Sequence, residues 1–324
     1  MNKKLFIYVF LVLIMMMLNC RAQQETLFTQ YVYNELTINP AYAGYHGVLN
    51  LSLNSRKQWI GLEGSPFTTT FAAHTVLNGK SQYYNNTSRN RQSLGRNTSS
   101  QTGLGCLVYI DRIGVDNTLQ SNFAYSHKII FPNSRLSFGL QGSVIYYDQN
   151  FFSLEQYNSD DPVFAGNTQK TMFNFGTGIF FDNDRYYFGV SVPQLIENYL
   201  DVTESESNKQ LRQYFFTGGY LMYLNEDFKF KPSFMCRYSS KIPYQLDLNG
   251  MIIYRDKIFA GLSYRNKDMF STIFQVKFDD KLRIGIAYDY TFGMLKVATN
   301  GSVEVMINYS FQNAVHKIVD PRYF

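Results

Sequence analysis

Apolar and polar side chains alternate one by one along much of the chain. In one segment, Ile284, Ile286 and Tyr288 fall on one side of an extended backbone, and Gly285 and Asp289 fall on the other. A repeat of two residues is typical of a β-strand, whose successive side chains point to opposite faces. The pattern therefore predicts strands with one apolar face and one charged or small face. It recurs most clearly at 135–146 and 302–311.

Fourteen short segments of this kind follow one another. Their number is even, as in a single-chain barrel whose two termini lie on the same side of a membrane. After the N-terminal region, no apolar run reaches the 18 or so residues expected of a membrane helix. We therefore predict an all-β fold. The predicted strands are 48–59, 68–76, 102–111, 118–130, 134–147, 171–181, 186–192, 212–223, 229–238, 243–253, 258–265, 269–278, 283–290 and 301–309.

The connections between the predicted strands are alternately short and long. Outer-membrane barrels have short periplasmic turns and longer outer loops, and their strands alternate between a lipid face and a lumen face. The rhythm therefore predicts a transmembrane antiparallel β-barrel of about 14 strands with both termini periplasmic. The short connections contain Pro132-Asn133, 182–184, 225–227, Arg255-Asp256 and Asp279-Asp280, and the long outer loops are 148–170, 193–211 and 291–300.

One long connection, 77–101, falls on the periplasmic side in this scheme. It is rich in Asn, Ser and Gln and contains Arg89, Arg91 and Arg96. Such a composition is typical of a disordered insertion. The alternative interpretation is a periplasmic docking loop for another protein.

The N-terminal region has the layout of an export signal. Lys3 and Lys4 precede an unbroken apolar run, and Cys20 and Ala22 place small residues three and one positions before a cleavage site after residue 22. Two alternatives remain, an uncleaved membrane anchor and a lipoprotein signal acylated at Cys20. The chain is thus divided into a signal peptide (1–22), a periplasmic N-terminal segment (23–47), an outer-membrane barrel (48–311) and a periplasmic C-terminal tail (312–324).

Removal of the signal changes the charge balance. The whole chain has 30 basic and 25 acidic residues, and three of the basic ones lie in the signal. The nearly neutral remainder gives no reason to expect nucleic acid as a partner. Cys106 and Cys236 lie within predicted strands beside apolar neighbours, so we predict neither a disulfide nor a metal site. A soluble β protein could alternate in the same way, and only the loop rhythm favours the membrane barrel.

Catalytic motifs are hard to find in this chain. His74 and His127 lie on predicted strands, and a lipid-cleaving Ser–His arrangement in a barrel wall would need a lipid-facing serine beside one of them. No spacing identifies such a serine. The chain contains no HExxH, paired CxxC, glycine-rich phosphate loop or calcium loop. We predict a protein that is not an enzyme and has no cofactor, with a lipid-modifying enzyme as the alternative from this class.

Three stretches combine glycine, proline and aromatic residues. The glycines and proline of the second predict a tight outer hairpin between the first two strands. Trp59, the only tryptophan, is expected at the membrane interface. The stretches are Asn39-Pro40-Ala41-Tyr42-Ala43-Gly44; Arg56 to Leu62 with Gly64 to Thr68 and His74; and Gly103-Leu104-Gly105 with Asp111 to Gly114, Phe123 to Ser126 and Leu136 to Gln141.

In these stretches the chain resembles the PorP/SprF family of type IX secretion system outer-membrane proteins, and the similarity extends over nearly the whole mature chain. The resemblance implies a barrel that works with the periplasmic ring of the secretion machinery. It also implies support for the secretion or surface attachment of large adhesins with a C-terminal signal domain, in Bacteroidetes-type bacteria that often show gliding motility. The family-motif residues are Asn39, Pro40, Gly44, Arg56, Trp59, Gly61, Gly64, Pro66, His74, Asp111 and Gly114.

The predicted function is that of an outer-membrane component that passes or anchors secreted surface proteins. The expected partners are such a secreted protein, held by the long outer loops, the periplasmic ring components and outer-membrane lipid. The basic and aromatic tail ending in Arg322, Tyr323 and Phe324 is expected to dock on a periplasmic component or to tuck into the barrel, a loose tail being the alternative. An outer-membrane channel for small or apolar solutes is the alternative function, because inward polar residues such as Gln141 and Gln275 suit a wet lumen as well as a plugged one.

Overall fold

The computed structural model describes residues 28–77, 99–150, 168–200, 209–240, 242–266, 269–292 and 296–311. Its strands are β1 (Leu49–Lys57), β2 (Phe67–Val76), β3 (Ser99–Ile113), β4 (Asp116–Ile130), β5 (Ser134–Gln149), β6 (Thr168–Asn183), β7 (Tyr186–Val192), β8 (Tyr214–Tyr220), β9 (Met222–Tyr223), β10 (Phe228–Ser239), β11 (Ile242–Tyr254), β12 (Ile258–Arg265), β13 (Met269–Lys277), β14 (Leu282–Thr291) and β15 (Ser302–Phe311).

These strands form one antiparallel sheet that closes on itself, because β15 pairs with β1. β8 and β9 both pair with β10 and are two parts of one wall strand, interrupted at Leu221. The described residues therefore form a closed barrel of fourteen wall strands, which confirms the predicted fold class. At this interruption Leu221 is fully buried, and its backbone N–H donates to the carbonyl of Arg185 (2.6 Å). No helix in the described ranges is long and apolar enough to span a membrane.

The two faces of the wall agree with the predicted alternation. On β5, Phe138 and Leu140 are exposed outward, whereas Ser137 and Gln141 are buried inside. The outward faces of the other strands carry a similar set of large apolar side chains, and the inward faces carry mainly Ser, Thr, Asn and Gln. A closed sheet leaves no unpaired edge, and an apolar outer band suits contact with lipid.

The five short connections that the sequence predicts all lie at one end of the barrel, which we call the short-turn rim. At the other end, the connections β3–β4, β10–β11 and β12–β13 are also only two or three residues long, so the predicted alternation of short and long connections holds for part of the barrel. The side-chain oxygens of Asn183, Asn225 and Asp279 each accept two backbone N–H groups from the residues that follow. Arg255 and Asp256 have positive φ angles of 49° and 58°, as a two-residue hairpin turn requires. The turn chemistry expected from the sequence is thus present. The opposite end, where β1 meets β2 and β14 meets β15, is the long-loop rim.

Residues 28–45 lie inside the barrel, and we call them the lumenal segment. They contain three short 3-10 helices, at Tyr31–Tyr33, Glu35–Thr37 and Pro40–Tyr42, and most of their side chains are buried. The expectation of a periplasmic segment at 23–47 is therefore wrong for these residues. The segment satisfies its polar groups on the wall: the carbonyl of Ile38, for example, accepts from Ser191 Oγ (2.6 Å). Because the segment is not paired as a strand, its sequence does not alternate between apolar and polar residues.

Several predicted features lie outside the described residues. They are the signal peptide (1–22), the C-terminal tail (312–324) with its Arg322, Tyr323 and Phe324, residues 78–98 of the predicted periplasmic loop, and residues 151–167 and 201–208 of two long loops.

The lumenal segment and the long-loop rim as the candidate functional site

The lumenal segment begins beside the long-loop rim. The backbone N–H of Thr29 donates to Glu304 Oε2 (2.7 Å), and that of Gln30 donates to Glu304 Oε1 (3.0 Å). The hydroxyl of Thr29 donates to Asp289 Oδ1 (2.9 Å) and accepts from Arg56 Nη1 (2.7 Å). Arg56, Asp289 and Glu304 lie two or three positions from the long-loop ends of β1, β14 and β15. Together with Thr29 they form what we call the Arg56 cluster.

The Arg56 cluster is an ion network without access to water. Arg56 Nη1 lies 2.8 Å from Asp289 Oδ2 and 3.1 Å from Glu304 Oε2, and all three side chains are at most 1% exposed. One guanidinium thus faces two carboxylates, and the N–H groups of the lumenal segment supply further donors. Burying charges costs several kcal/mol per ion, which only such close partners offset. The cluster therefore clamps the beginning of the lumenal segment to the wall.

From this clamp the segment descends toward the short-turn rim. The hydroxyl of Tyr31 accepts from Asn249 Nδ2 (2.8 Å) near the middle of β11. The ring of Tyr33 lies 4.5 Å from the guanidinium carbon of Arg283 and makes an edge contact with Phe259, at a centroid distance of 6.2 Å. Arg283 and Phe259 are second in β14 and β12, counted from the short-turn rim. The first half of the segment therefore runs nearly the full height of the lumen.

The second half crosses to the opposite wall, where inward-facing glycines receive it. A Cβ atom on Gly139 would lie 2.1 Å from the backbone nitrogen of Ala41, and one on Gly103 would lie 2.1 Å from the carbonyl oxygen of Ala43. Any other residue at these two positions would collide with the segment backbone. The sequence stretches around Gly103 and Gly139 are thus explained by close approach of the lumenal segment.

Asn39 and Pro40 shape the turn that rests on this glycine face. Asn39 Oδ1 accepts from the backbone N–H of Ala41 (3.0 Å), and Asn39 Nδ2 donates to the carbonyl of Ile179 (3.1 Å) on β6. Pro40 is the first residue of the third 3-10 helix, where its fixed φ fits and no N–H is needed. One side chain thus both caps the helix and attaches it to the wall.

The segment leaves the lumen at the short-turn rim through a tight passage at Gly44. Gly44 has φ +68°, and a Cβ there would lie 2.8 Å from both Gly103 Cα and the carbonyl oxygen of Thr75. Lys128 Nζ donates to the Gly44 carbonyl (2.8 Å). A glycine is required here both by the left-handed φ and by the lack of space.

Aromatic rings and ion pairs surround this exit. Tyr45 stacks on Tyr42 at a centroid distance of 4.5 Å, and its hydroxyl accepts from Arg135 Nη2 (2.9 Å). Arg135 also pairs with Asp182. His74 is buried and makes an edge contact with Tyr42 at 5.8 Å. These side chains come from β2, β5 and β6, so the exit joins three wall strands to the lumenal segment.

The remaining family-motif residues build the long-loop rim. The connection between β1 and β2 is bonded to two neighbours: Ile60 exchanges backbone hydrogen bonds with Gly301 and Asn300 (both 2.8 Å), and the carbonyl of Gly64 accepts from Gly114 N (2.8 Å). Three further motif glycines and Trp59 have positive φ: Trp59 48°, Gly61 99°, Gly64 68° and Gly114 57°.

Strand-end contacts reinforce this rim. Asp111 Oδ1 accepts from Thr68 Oγ1 (2.5 Å), and the carbonyl of Pro66 accepts from Gln58 N (2.9 Å). Trp59 is half-buried, and its backbone N–H donates to Ser302 Oγ (3.2 Å). A positive φ at a large residue costs about 1–3 kcal/mol and persists only where neighbours enforce it. The motif thus specifies a rigid connection between the β1–β2 and β3–β4 hairpins, rather than the tight hairpin turn expected from the sequence.

The first residues of the second long loop fold inward over the lumen. The carbonyl of Pro193 accepts from Gln141 Nε2 (3.1 Å), and the carbonyl of Ile196 accepts from Asn174 Nδ2 (2.8 Å). Leu200 packs against a buried cluster of Ile145, Tyr147 and Met172 on β5 and β6. Together with the lumenal segment, this part of the loop fills the interior of the described barrel. Between the segment and strands β10, β11 and β13 lies a cavity of about 10 Å³, which is roughly the space of one water.

The two histidines of the enzyme hypothesis lie on different faces of the wall. His74 faces inward, whereas His127 faces outward on β4, so they share no site. Cys106 and Cys236 are free and face outward. No group of three or more His, Cys, Asp or Glu side chains is placed to hold a metal ion in the described part of the chain.

Charged turns mark the short-turn rim. Arg255 Nε donates to Asp227 Oδ1 (2.8 Å), which joins two neighbouring turns. This hydrogen bond lowers the pKa of Asp227 below its usual range and raises the pKa of Arg255. At Asp279, the backbone N–H groups of Leu282 and Lys281 lower the pKa of the carboxyl group. The rim thus presents fixed charges on rigid turns.

A closed barrel with an apolar outer band and a polar interior defines an outer-membrane β-barrel protein. The family model "Type IX secretion system membrane protein PorP/SprF" matches residues 20–309. The chain therefore belongs to the PorP/SprF family, a secretion-system family of membrane barrels, and its location is the cell outer membrane.

Among solved structures, the chain is similar to "CymD monoaromatic hydrocarbon channel", with 8% identity, a TM-score of 0.48 and coverage of 89% of this chain and 94% of that one. It is also similar to the P. putida toluene transporter TodX (9% identity, TM-score 0.42, coverage 86% and 94%) and to a Pseudomonas aeruginosa FadL homologue (12% identity, TM-score 0.42, coverage 87% and 94%). No curated protein matches the chain.

Proposed function

We propose that this protein is an outer-membrane component of the type IX secretion system that holds a secreted surface protein at its long-loop rim and contacts the periplasmic machinery at its short-turn rim. The observation that carries the proposal is the filled lumen of a protein that belongs to this secretion family. When the interior of a barrel is occupied by its own chain, its two rims are the surfaces outside the membrane that can bind other proteins. The short turns are periplasmic in this proposal, as in other outer-membrane barrels.

The filled lumen also counts against the alternative function as a channel for small solutes. The segment is held by the buried ions of the Arg56 cluster at one end and by the Gly44 passage at the other. A solute would have to displace both. A polar inner wall alone does not identify a channel, since here it supplies hydrogen-bond partners for the lumenal segment.

The long-loop rim has the properties of a protein-binding surface. Its motif glycines and Trp59 hold the β1–β2 connection rigid, so loops beside it are displayed on a fixed base. Val297, in the last long loop, is 94% exposed, so its side chain is available to a partner. Function concentrates on such loops held by a rigid scaffold.

The test is a pull-down of the tagged barrel from outer membranes in mild detergent, with quantitative mass spectrometry of the proteins that accompany it. Two matched variants change one exposed residue at each rim: Val297→Asp at the long-loop rim and Glu226→Arg at the short-turn rim. We expect the wild type to recover both a large secreted protein and periplasmic ring proteins. Val297→Asp should lose mainly the secreted protein, and Glu226→Arg mainly the ring proteins.

Recovery of the barrel alone across several detergents would contradict the proposal. So would equal loss of both partner classes in either variant, because the proposal assigns one class to each rim. A steady open conductance of the wild-type protein in a planar bilayer would support the solute channel instead.

A further inference from the structure

We infer that the outer face of β1, β2 and β3, at the long-loop rim, binds the phosphate group of a phosphorylated glycolipid in the outer leaflet of the membrane. The site consists of Lys57 and Arg112 on either side of Phe67, with the hydroxyl groups of Ser55 and Thr69 beside them, and we call it the β1–β3 patch. The choice of leaflet rests on the proposed function, which places the long loops outside the cell. The sequence indicated outer-membrane lipid only as a general partner, without a site.

The outward face of the wall carries very few charged side chains. Within the described strands, only Lys57, Arg112 and Asp148 place a formal charge on that face, whereas the other charged side chains of these strands point into the lumen. A charge on the lipid side of a barrel is costly in the apolar core of the membrane and tolerated near the interface. Two cations close together on this face therefore indicate a site at the level of the lipid headgroups.

The two cations lie in one row across neighbouring strands. Lys57 is paired with Phe67, and Phe67 is paired with Arg112. Because neighbouring strands are about 4.8 Å apart, the Cα atoms of the two cations are about 10 Å apart. Two long side chains that start at this distance can bind one phosphate group between them, above the ring of Phe67. Asp148 lies in the same row, two strands beyond Arg112, and therefore outside the pair.

Both cations are attached to a rigid part of the rim. Lys57 Nζ donates to the carbonyl of Ser65 (2.9 Å), which directs the ammonium group toward β2 and leaves two of its three N–H groups for a ligand. Arg112 is one residue from the end of β3, and the turn that follows is fixed by the hydrogen bond from Gly114 N to the Gly64 carbonyl (2.8 Å). Neither cation forms an ion pair with an acidic side chain of the described ranges. Their charge is available to an external anion.

The surroundings of the two cations match an amphipathic ligand. Ser55 Oγ and Thr69 Oγ1 lie 3.1 Å apart in the next outward-facing row, so hydroxyl groups are present beside the cations. Below them, Leu53 and Phe71 are paired on the apolar band and are 41% and 47% exposed. A lipid places its phosphate at the interface and its acyl chains along such a band. An acidic protein segment would contact the cations but not the membrane-covered surface below, so the geometry favours a lipid.

The test is lipid retention by the purified barrel, measured by native mass spectrometry after transfer into detergent that contains one lipid at a time. The lipids are phosphorylated lipid A, lipid A without its phosphates, and phosphatidylglycerol. The patch variant is Lys57→Gln with Arg112→Gln. Its matched control, Lys257→Gln with Lys281→Gln, removes the same charge at the short-turn rim. We expect the wild type and the control to retain phosphorylated lipid A, and the patch variant to retain about tenfold less, as two exposed ion contacts allow.

Equal retention of lipid A with and without its phosphates would overturn the inference, because apolar contact alone would then explain the binding. Unchanged retention by the patch variant would also overturn it, as would a preference for phosphatidylglycerol. Inorganic phosphate should not displace the lipid, because it makes no contact with the apolar band. Displacement by inorganic phosphate would show that the ligand is a free anion and not a lipid.

Folding and partner binding can be separated from this result. Exposed ion contacts contribute little to stability, so the patch variant should keep the heat-modifiable mobility of the wild type. A folded patch variant that retains lipid A but loses the secreted protein in the pull-down would assign the cations to a protein partner and overturn the inference. The lipid assay contains no partner protein, so failure of the pull-down with the wild type would leave its result unchanged. The two proposals therefore fail separately.

Discussion

The barrel wall and the lumenal segment are held in place by different means. β5 is paired along its whole length with β4 and β6, so each residue contributes backbone hydrogen bonds irrespective of its side chain. The lumenal segment has only three isolated 3-10 helices and is attached through particular side chains, such as Arg56 and Asn39. The wall is therefore specified by a repeated pattern, and the occupancy of its lumen by a few individual residues.

This difference predicts that the two parts can be separated by mutation. Substitutions that disturb the segment should leave the wall closed, because no wall strand pairs with it. Many inward-facing side chains of the wall are polar, so water can solvate them when the segment is absent, while the apolar ones that face the lumen, such as Phe180 and Phe259, would lose their cover. The predictions below test this independence, from the largest expected effect to the smallest.

Removal of the lumenal segment should open the barrel. A variant that lacks residues 28–45 is expected to retain the heat-modifiable mobility of a folded barrel and to show a steady conductance in planar bilayers, where the wild type shows none. Single-channel recording measures the effect. A deletion variant that is folded but does not conduct would mean that the inward-folded loop beginning at Pro193 closes the lumen without the segment.

Loss of the charge at Arg56 should be the most costly single substitution. Arg56→Met leaves the buried carboxylates of Asp289 and Glu304 without their cation, and breaking a buried pair in this way costs about 3–5 kcal/mol. The free energy of unfolding, measured by urea denaturation in lipid vesicles, reports the loss. Arg112→Met at the exposed end of β3 is the matched control and should change little.

A compensating variant sharpens the result for Arg56. Adding Asp289→Asn and Glu304→Gln to Arg56→Met removes the unpaired charges, so most of the lost stability should return. If the triple variant is as unstable as Arg56→Met alone, the cost comes from packing of the long side chain and not from the ions.

The wall could be predicted from the sequence because its signal is repeated. Each strand alternates apolar and polar residues, as Ile284 and Asp289 illustrate, and the turns carry Asn or Asp where a side chain can accept backbone N–H groups. All fourteen predicted strands are present in the described barrel. Their bounds differ most in β3 and β6, each of which is five residues longer than predicted.

The lumenal segment could not be predicted in the same way. Thr29 and Tyr31 belong to no period, and Asp289 and Asn249, to which they are hydrogen-bonded, are more than 200 positions away in the chain. Family resemblance singled out Asn39 and Gly44 without indicating what they contact. A charged residue on the polar face of a strand, such as Glu304, was the available signal that the lumen holds specific partners, but it does not identify them.

Side chains on the glycine face should displace the second half of the segment. A valine at Gly139 would collide with the backbone of Ala41, and overpacking of this kind costs about 1–3 kcal/mol. Gly142 on the same strand faces outward with nothing within 4 Å of its Cβ position, so Gly142→Val is a matched control. Proteolysis of intact barrels measures the result: Gly139→Val should expose the segment to cleavage, and Gly142→Val should not. Equal resistance would show that the segment can shift without leaving.

The smallest expected effect concerns the wall alone, at Asp279 in a short turn. Donation from the N–H groups of Leu282 and Lys281 lowers the pKa of this carboxyl in the folded state. Its contribution is therefore present above the unfolded pKa of about 3.9 and is lost as the pH falls through the folded value. Asp279→Asn keeps an oxygen acceptor for the turn but cannot titrate, so the unfolding free energy should depend less on pH below about pH 4. Asp279→Ala removes the acceptor and should lower stability at every pH. If Asp279→Asn follows the wild-type pH curve, the carboxylate charge contributes nothing to this turn, and the turn geometry alone stabilises it.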